Sequence, residues 1–337
     1  MKIKRSILPV LLMLFVLTFC LLSMTACAKK PASNKLKIGF IVKQPEEPWF
    51  QYEWKFADMA GEKYGFEVVK IGASDGEKVL SAIDNLAAAG AKGFIICTPD
   101  VRLGPAIAEK AKSTGLKLIA VDDRFIGADK KPMEDVCYLG ISAMKIGENV
   151  GKTLADEMKK RGWAESDTGA CVVSFDELDT AKERTGGAID GLIAGRFSKQ
   201  MIFNAPQKTS DIPGAFDAVN VLLTQHPKVK NWLICGMNDN AVLGAVRAME
   251  GRGFTAKNTV GVGINGTEAV DEFEKKDTTG FYGSMLLSAR EHGYKTAEMM
   301  YTWITTGKDP EKDTRTTGIL ITRDNFISVL KEQGLKK

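Results

Sequence analysis

The sequence predicts an α/β protein of two lobes, each built on a parallel sheet with helices on both faces. Three observations carry this. Apolar, β-branched runs alternate with helical patterns from residue 36 onward, the mark of successive βαβ units. The alternation runs through two cycles of five strands. One cycle also echoes the other: Phe94-Ile95-Ile96-Cys97-Thr98-Pro99-Asp100 answers to Trp232-Leu233-Ile234-Cys235-Gly236-Met237-Asn238-Asp239, each the third strand of its cycle and each ending in a polar turn.

The first strand, Leu36-Lys37-Ile38-Gly39-Phe40-Ile41-Val42, is almost wholly apolar, as a strand buried on both faces should be. Pro48 then stands where a helix can begin, and Phe50, Trp54, Ala57, Ala60 and Tyr64 recur at helical spacing up to Gly65. Further strands of the first cycle are expected near 66–71, 92–97, 117–121 and 136–141. The second cycle places them near 169–174, 200–204, 231–236, 259–264 and 280–286. Leu287 to Gly293 opens a helical stretch rich in Met and Tyr. The apolar Gly318-Ile319-Leu320-Ile321 belongs to neither cycle and fits a chain crossing back between the lobes.

Nearly every strand ends in polar side chains: Lys43 and Glu47, Asp100, Asp122 and Asp123, Asp176 and Glu177, Asn238 and Asp239, Asn265. One such end alone reads best as a helix cap or Asx turn, which Asp and Asn favour. All of them together suit a cleft between two facing rims, since ligands of open α/β sheets bind at the carboxyl ends of the strands. Lys43, Glu47, Trp49 and Phe50 lie where the first strand hands over to its helix. Donors, acceptors and flat aromatic rings side by side suit a hydroxyl-rich ligand with an apolar C–H face, and not a phosphate.

Other features bound the function. Lys2, Lys4 and Arg5, the apolar run Ile7–Leu22 and then Met24-Thr25-Ala26-Cys27 read as an export signal, too short for a spanning helix. Cys27 sits like the cysteine of a bacterial lipobox, where it would be lipidated and become the first mature residue. Residues 28–35 form a polar tether. Removing residues 1–26 takes away three positive charges and no acid, so the formal charge falls from +4 to +1, which argues against nucleic acid as partner. Cys97, Cys137, Cys171 and Cys235 lie in or beside apolar strands and read as buried small hydrophobes, without metal or redox spacing. His226 and His292, the two histidines, fall in polar helix-end and loop contexts, so neither a metal cluster nor a histidine base is expected. Gly261-Val262-Gly263-Ile264-Asn265-Gly266 spells G-x-G-x-x-G, but within the fourth strand of the second cycle. A dinucleotide fingerprint opens the first βαβ unit and has an acid about 20 residues on. No cofactor is expected.

On these motifs the chain resembles the arabinose-binding proteins of bacterial sugar ABC importers, within the type I periplasmic-binding-protein superfamily. The likeness runs from about Leu36 to about Gly334, through Val42-Lys43-Gln44-Pro45-Glu46-Glu47-Pro48-Trp49-Phe50, Ala120-Val121-Asp122-Asp123, Glu177-Leu178-Asp179-Thr180-Ala181, Asp211-Ile212-Pro213-Gly214-Ala215-Phe216-Asp217-Ala218, Gly236-Met237-Asn238-Asp239 and Gly263-Ile264-Asn265-Gly266. The resemblance implies two Rossmann-like lobes joined by a three-segment hinge, with residues 36–141 plus 288–316 in one lobe and 142–287 plus 317–337 in the other. It implies a monomer that closes on one monosaccharide, L-arabinose foremost, and delivers it to a membrane permease without chemistry on it. The family's sugar contacts fall on Lys43, Glu47, Asp123, Arg184, Asn238 and Asn265, its aromatic contacts on Trp49 and Phe50, and its cleft neighbours on Thr180 and Met237. Three positions depart from the family: Ile141 stands for Met, Glu268 for Asp, and Leu287 for a Pro near the last crossover. They bear on the choice among arabinose, galactose and fucose, and leave an aldopyranose as the ligand.

Two rivals are weaker. A transcriptional regulator on the same scaffold needs a basic helix-turn-helix where this chain has an export signal. A sugar dehydrogenase needs a nucleotide fingerprint, and a glycosidase needs a carboxylate pair such as Glu47 and Asp123 across the scissile bond. A rim crowded with Lys43, Arg184 and two Asn is built to hold a whole sugar.

Overall fold

The computed structural model describes residues 35–336. The expected signal segment, the tether and Cys27 lie outside the described residues, apart from Lys35. Strands β1 (Leu36–Val42), β2 (Phe66–Gly72), β3 (Gly93–Ile96), β4 (Lys117–Val121) and β5 (Cys137–Ile141) pair in the order β5-β4-β3-β1-β2. Strands β6 (Thr168–Ser174), β7 (Ile202–Pro206), β8 (Asn231–Gly236), β9 (Thr259–Asn265) and β10 (Phe281–Leu286) pair as β10-β9-β8-β6-β7, the same order. The β1–β3, β3–β4 and β4–β5 ladders of the first five and the β6–β7, β6–β8, β8–β9 and β9–β10 ladders of the second are parallel. The expected strands are all present, with β7 displaced to 202–206 because a 3₁₀ turn takes Lys199–Met201.

The last strands depart from expectation. Asp313–Thr316 forms β11, parallel to β5, and Ile319–Thr322 forms β12, antiparallel to β10. Each sheet therefore has six strands. The segment read as belonging to neither cycle joins the second sheet, and the chain does cross between the sheets just before it. Two other crossings are visible, from β5 into the helix at Ala143 and from β10 toward residues 288–295, whose π turn (Glu291–Lys295) packs on the first helix.

Helices α1 (Pro48–Tyr64), α2 (Gly76–Ala88) and α3 (Gly104–Thr114) cover the first sheet. α1 begins at Pro48, whose missing N–H costs nothing there, and stops at Gly65, which adopts φ 82°. Its buried stripe is Phe50, Glu53, Phe56, Ala57, Ala60 and Gly61. Helices α4 (Ala143–Lys160) and α5 (Asp179–Ala194) line one face of the second sheet over Val172, Leu233 and Val262. Helices α6 (Ile212–Gln225), α7 (Asp239–Gly251) and α8 (Thr267–Glu274) line the other over Val173, Trp232 and Ile234. α9 (Thr296–Thr306) packs on the first sheet, and α10 (Phe326–Glu332) closes the second. The four cysteines from Cys97 on are buried and unpaired.

Candidate functional site

In each sheet the strand order reverses between neighbours that leave in opposite directions, β1 and β3 in the first, β6 and β8 in the second. Such a switch point leaves a crevice at the carboxyl ends of the strands. Lys43 follows β1, Asp122 and Asp123 follow β4, Met237 and Asn238 follow β8, and Asn265 ends β9. The predicted residues thus gather on two rims.

On the first rim Lys43 Nζ pairs with Asp123 Oδ2 at 2.5 Å, and the Cys97 thiol lies 3.5 Å from the same oxygen. Both charges keep part of their surface, so each retains capacity for a further partner. Next door Asp122 has φ 63°, a left-handed conformation that costs a non-glycine residue free energy. Its backbone is held on both sides: its N–H donates to the Leu139 carbonyl (3.0 Å), and the Tyr138 hydroxyl donates to its own carbonyl (2.6 Å). Its carboxylate accepts from Trp49 Nε1 at 3.2 Å and lies 2.5 Å from His292 Nδ1.

The second rim is made differently. Arg184, from α5, donates through Nη1 to the Met237 carbonyl at 2.7 Å, while its Nε is buried without a partner among the described residues. Burial pulls its pKa below the ordinary value, and the Asp239 charge opposes that. Asn238 caps α7, its Oδ1 accepting from Ala241 N at 2.9 Å, so its amide NH₂ is left for other partners. Asn265 has φ 117° and Gly266 after it φ 86°. That turn is pinned by the fully buried Asp239, which accepts from the Gly266 and Ala269 amides (2.9 and 3.3 Å) and from the Ser284 hydroxyl (2.5 Å). Burial pushes the Asp239 carboxyl up to about 7 despite these donors, with the Glu268 charge adding to the rise. Glu268 Oε2 is buried without a partner among the described residues. The G-x-G-x-x-G run is packed strand: a Cβ at Gly263 would meet Asp239 Oδ1 at 2.2 Å, and one at Gly261 would meet Val242 at 2.7 Å.

The structure brings some predicted residues together and leaves others apart. Lys43 and Asp123 are paired, as are Arg184 and Met237. Trp49 and Asn265, from opposite lobes, line one cavity of about 340 Å³ with Tyr52, Leu286 and Leu287. Lys43 also borders a cavity of about 840 Å³ with Gln44, Ser74 and Lys78. Glu47 is exposed at the N-cap of α1, Thr180 is exposed at the start of α5, and Phe50 is 4% exposed within the α1 stripe. Ile141 packs against the core of the second lobe, and its carbonyl accepts from Arg315 at 3.1 Å. Asp100, another strand-end acid, caps the 3₁₀ turn at Val101–Leu103 and bonds Arg102, the local role such residues commonly take.

One expectation is corrected. His292 is not in a polar loop: it is 1% exposed within the π turn, beside Asp122 and the wholly buried Glu53. One ligand atom from each of Glu53, Asp122 and His292 lies within 4.8 Å of the others, a grouping of the kind that can hold a metal ion. Sequence reasoning missed it because the three lie far apart in the chain. Glu53 did carry a signal, since it falls in register with Phe50, Ala57 and Ala60 on the buried stripe of α1.

The profile of the family described as periplasmic binding proteins and sugar binding domain of LacI family matches residues 35–329. The chain is 55% identical over 304 residues to the L-arabinose-binding periplasmic protein of Escherichia coli (strain K12), covering 90% of this chain and 92% of that one. It is 50% identical over 305 residues to the ABC transporter L-arabinose-binding periplasmic protein of Azospirillum brasilense, with 90% and 91% covered. A crystal structure of a periplasmic ribose ABC transporter from Conexibacter woesei DSM 14684 has the same fold, with a TM-score of 0.71 at 19% identity over 89% of this chain and 96% of that one. On a match over nearly the whole described length, the chain belongs to the family of periplasmic binding proteins and LacI-type sugar-binding domains.

Proposed function

We propose that the chain is the extracytoplasmic receptor of a sugar ABC importer, binding L-arabinose between its lobes and passing it to the permease as a monomer held at the membrane by lipid on Cys27. It is a binding protein and does no chemistry on its ligand. One observation carries the choice of sugar: two relatives at 55% and 50% identity over 90% of the chain are both named for L-arabinose.

The rims supply the chemistry such a ligand needs. Asp123, already anchored by Lys43, accepts from a hydroxyl, and Lys43 and Arg184 donate charge-assisted bonds. Asn238 and Asn265 donate and accept at once, and Trp49 offers a flat apolar face. Glu47, Phe50, Thr180, Met237, Ile141 and Glu268 complete the proposed set. D-galactose, D-fucose or another aldopyranose is the second reading, because Ile141, Glu268 and Leu287 differ from the family and bear on which of these sugars is preferred.

Calorimetry of the mature protein against a panel of pentoses and hexoses tests the reading. L-arabinose should bind with one site per chain. Asp123→Ala and Arg184→Ala should each weaken binding by about 2 kcal/mol or more, roughly thirtyfold, because a buried hydroxyl or charge loses its partner. Arg252→Ala on the exposed surface should not. Equal affinities in all four proteins would place the site elsewhere. For the anchor, membrane fractionation that is unchanged in Cys27→Ala would count against lipidation.

A further inference from the structure

Beneath the first rim lies a buried polar chain that none of the proposed sugar contacts explains. His292 Nδ1 is 2.5 Å from Asp122 Oδ1, and His292 Nε2 is 3.0 Å from the Thr316 hydroxyl. Asp122 Oδ2 takes the Trp49 indole N–H, and the Trp49 and His292 rings meet edge to face with centroids 5.3 Å apart at 76°. Thr316 is the last residue of β11, where the chain is about to cross between the sheets. Its carbonyl accepts from Ser142 N (2.9 Å) at the β5–α4 crossing. One chain of contacts therefore runs from an aromatic ring on the sugar rim to two of the three crossings.

We propose that His292 is a positioning residue of the sugar site: it fixes the Asp122 carboxylate and through it the Trp49 ring, and ties both through Thr316 to the crossover segments. The proposal rests on the sugar-binding reading above.

The proton inventory supports it. Burial alone would raise the Asp122 pKa, but the bonds from His292 and Trp49 outweigh it and the net direction is down, so Asp122 is the anion. An anion has no proton to give, so Nδ1 of His292 must donate. Glu53, 3.9 Å from the same nitrogen, is the opposite case: burial first, then the Asp122 charge, push it well above the ordinary carboxylate range, so the site favours its neutral acid. The remaining charges nearby are Asp123 and Lys43, which pair with each other. With both imidazole nitrogens engaged, a metal centre at Glu53, Asp122 and His292 would first have to break the short bond between His292 and Asp122.

Two conservative substitutions separate the roles. In His292→Asn the side-chain amide can stand in for Nδ1 and keep the donor to Asp122. In His292→Gln it can stand in for Nε2, reaching Thr316 but not Asp122. Calorimetry with L-arabinose should show the Gln variant weakened by at least about tenfold and the Asn variant within about threefold of wild type. Equal loss in both would make His292 a packing residue and overturn the proposal, as would no loss in either. Zinc bound by the wild type and lost in the Gln variant would overturn it in favour of a metal centre. If no aldopyranose binds the wild type, the functional reading fails, and the positioning claim is then read from ¹⁵N NMR of histidine-labelled protein. A His292 ring held as the Nδ1–H tautomer supports it; a ring held as the Nε2–H tautomer overturns it.

Discussion

Asp239 shows how a residue read as a rim polar group can be structural. It holds the Asn265–Gly266 turn against α7 through three donors while its carboxyl sits near 7, above the ordinary 3.8. A raised folded-state value means that its stabilising effect is whole below the unfolded value near 4 and is lost as pH rises through about 7. Asp239→Asn keeps an acceptor for the Gly266 and Ala269 amides and turns its NH₂ toward Ser284. We expect it to fold, and its stability relative to wild type to gain a few kcal/mol between pH 4 and pH 7. Denaturant unfolding at the two pH values checks this, and a constant difference would show that Asp239 is ionised in the native protein. The rim acids were visible in the sequence, but their division into proposed sugar contacts and structural groups was not. That depends on which backbone amides converge on each carboxylate, and no spacing reveals it.

At the scale of elements, α4 and α5 lie unusually close because four glycines face across their contact. A Cβ at Gly147 would meet the Arg184 carbonyl oxygen at 2.0 Å, and those at Gly151, Gly187 and Gly191 would meet the partner backbone at 2.0 to 2.2 Å. The close approach sets where Arg184 stands on the second rim. Gly147→Ala should therefore cost about 1–3 kcal/mol of stability from overpacking and also weaken sugar binding. Thermal unfolding and calorimetry together test it: lost stability with unchanged affinity would uncouple the helix spacing from the site. Most elements were legible because buried strands write continuous apolar runs and their helices write a 3.6-residue period. Strand β11 was not. Asp313-Thr314-Arg315-Thr316 is an edge strand with no buried residue, so no hydrophobic pattern announced it. His292 was missed for a related reason: its burial comes from Glu53, Asp122 and Thr316, which the chain delivers from three other elements.

For the whole molecule, the repeated strand order turns two copies of one architecture into facing rims, and the crossings near residues 142, 288 and 317 become the proposed hinge between lobes 36–141 plus 288–316 and 142–287 plus 317–337. Among the described residues, no hydrogen bond or ion pair links Lys43 or Asp123 to Arg184 or Asn238. A sugar would supply that link, and the free energy of its shared bonds is what would favour a closed state over an open one. Small-angle X-ray scattering of the mature protein with and without saturating L-arabinose is the most direct test. Sugar held by both rims should lower the radius of gyration, and Arg184→Ala should need far more sugar to reach the same value. A radius unchanged by L-arabinose that calorimetry shows to be bound would contradict a ligand shared between the lobes.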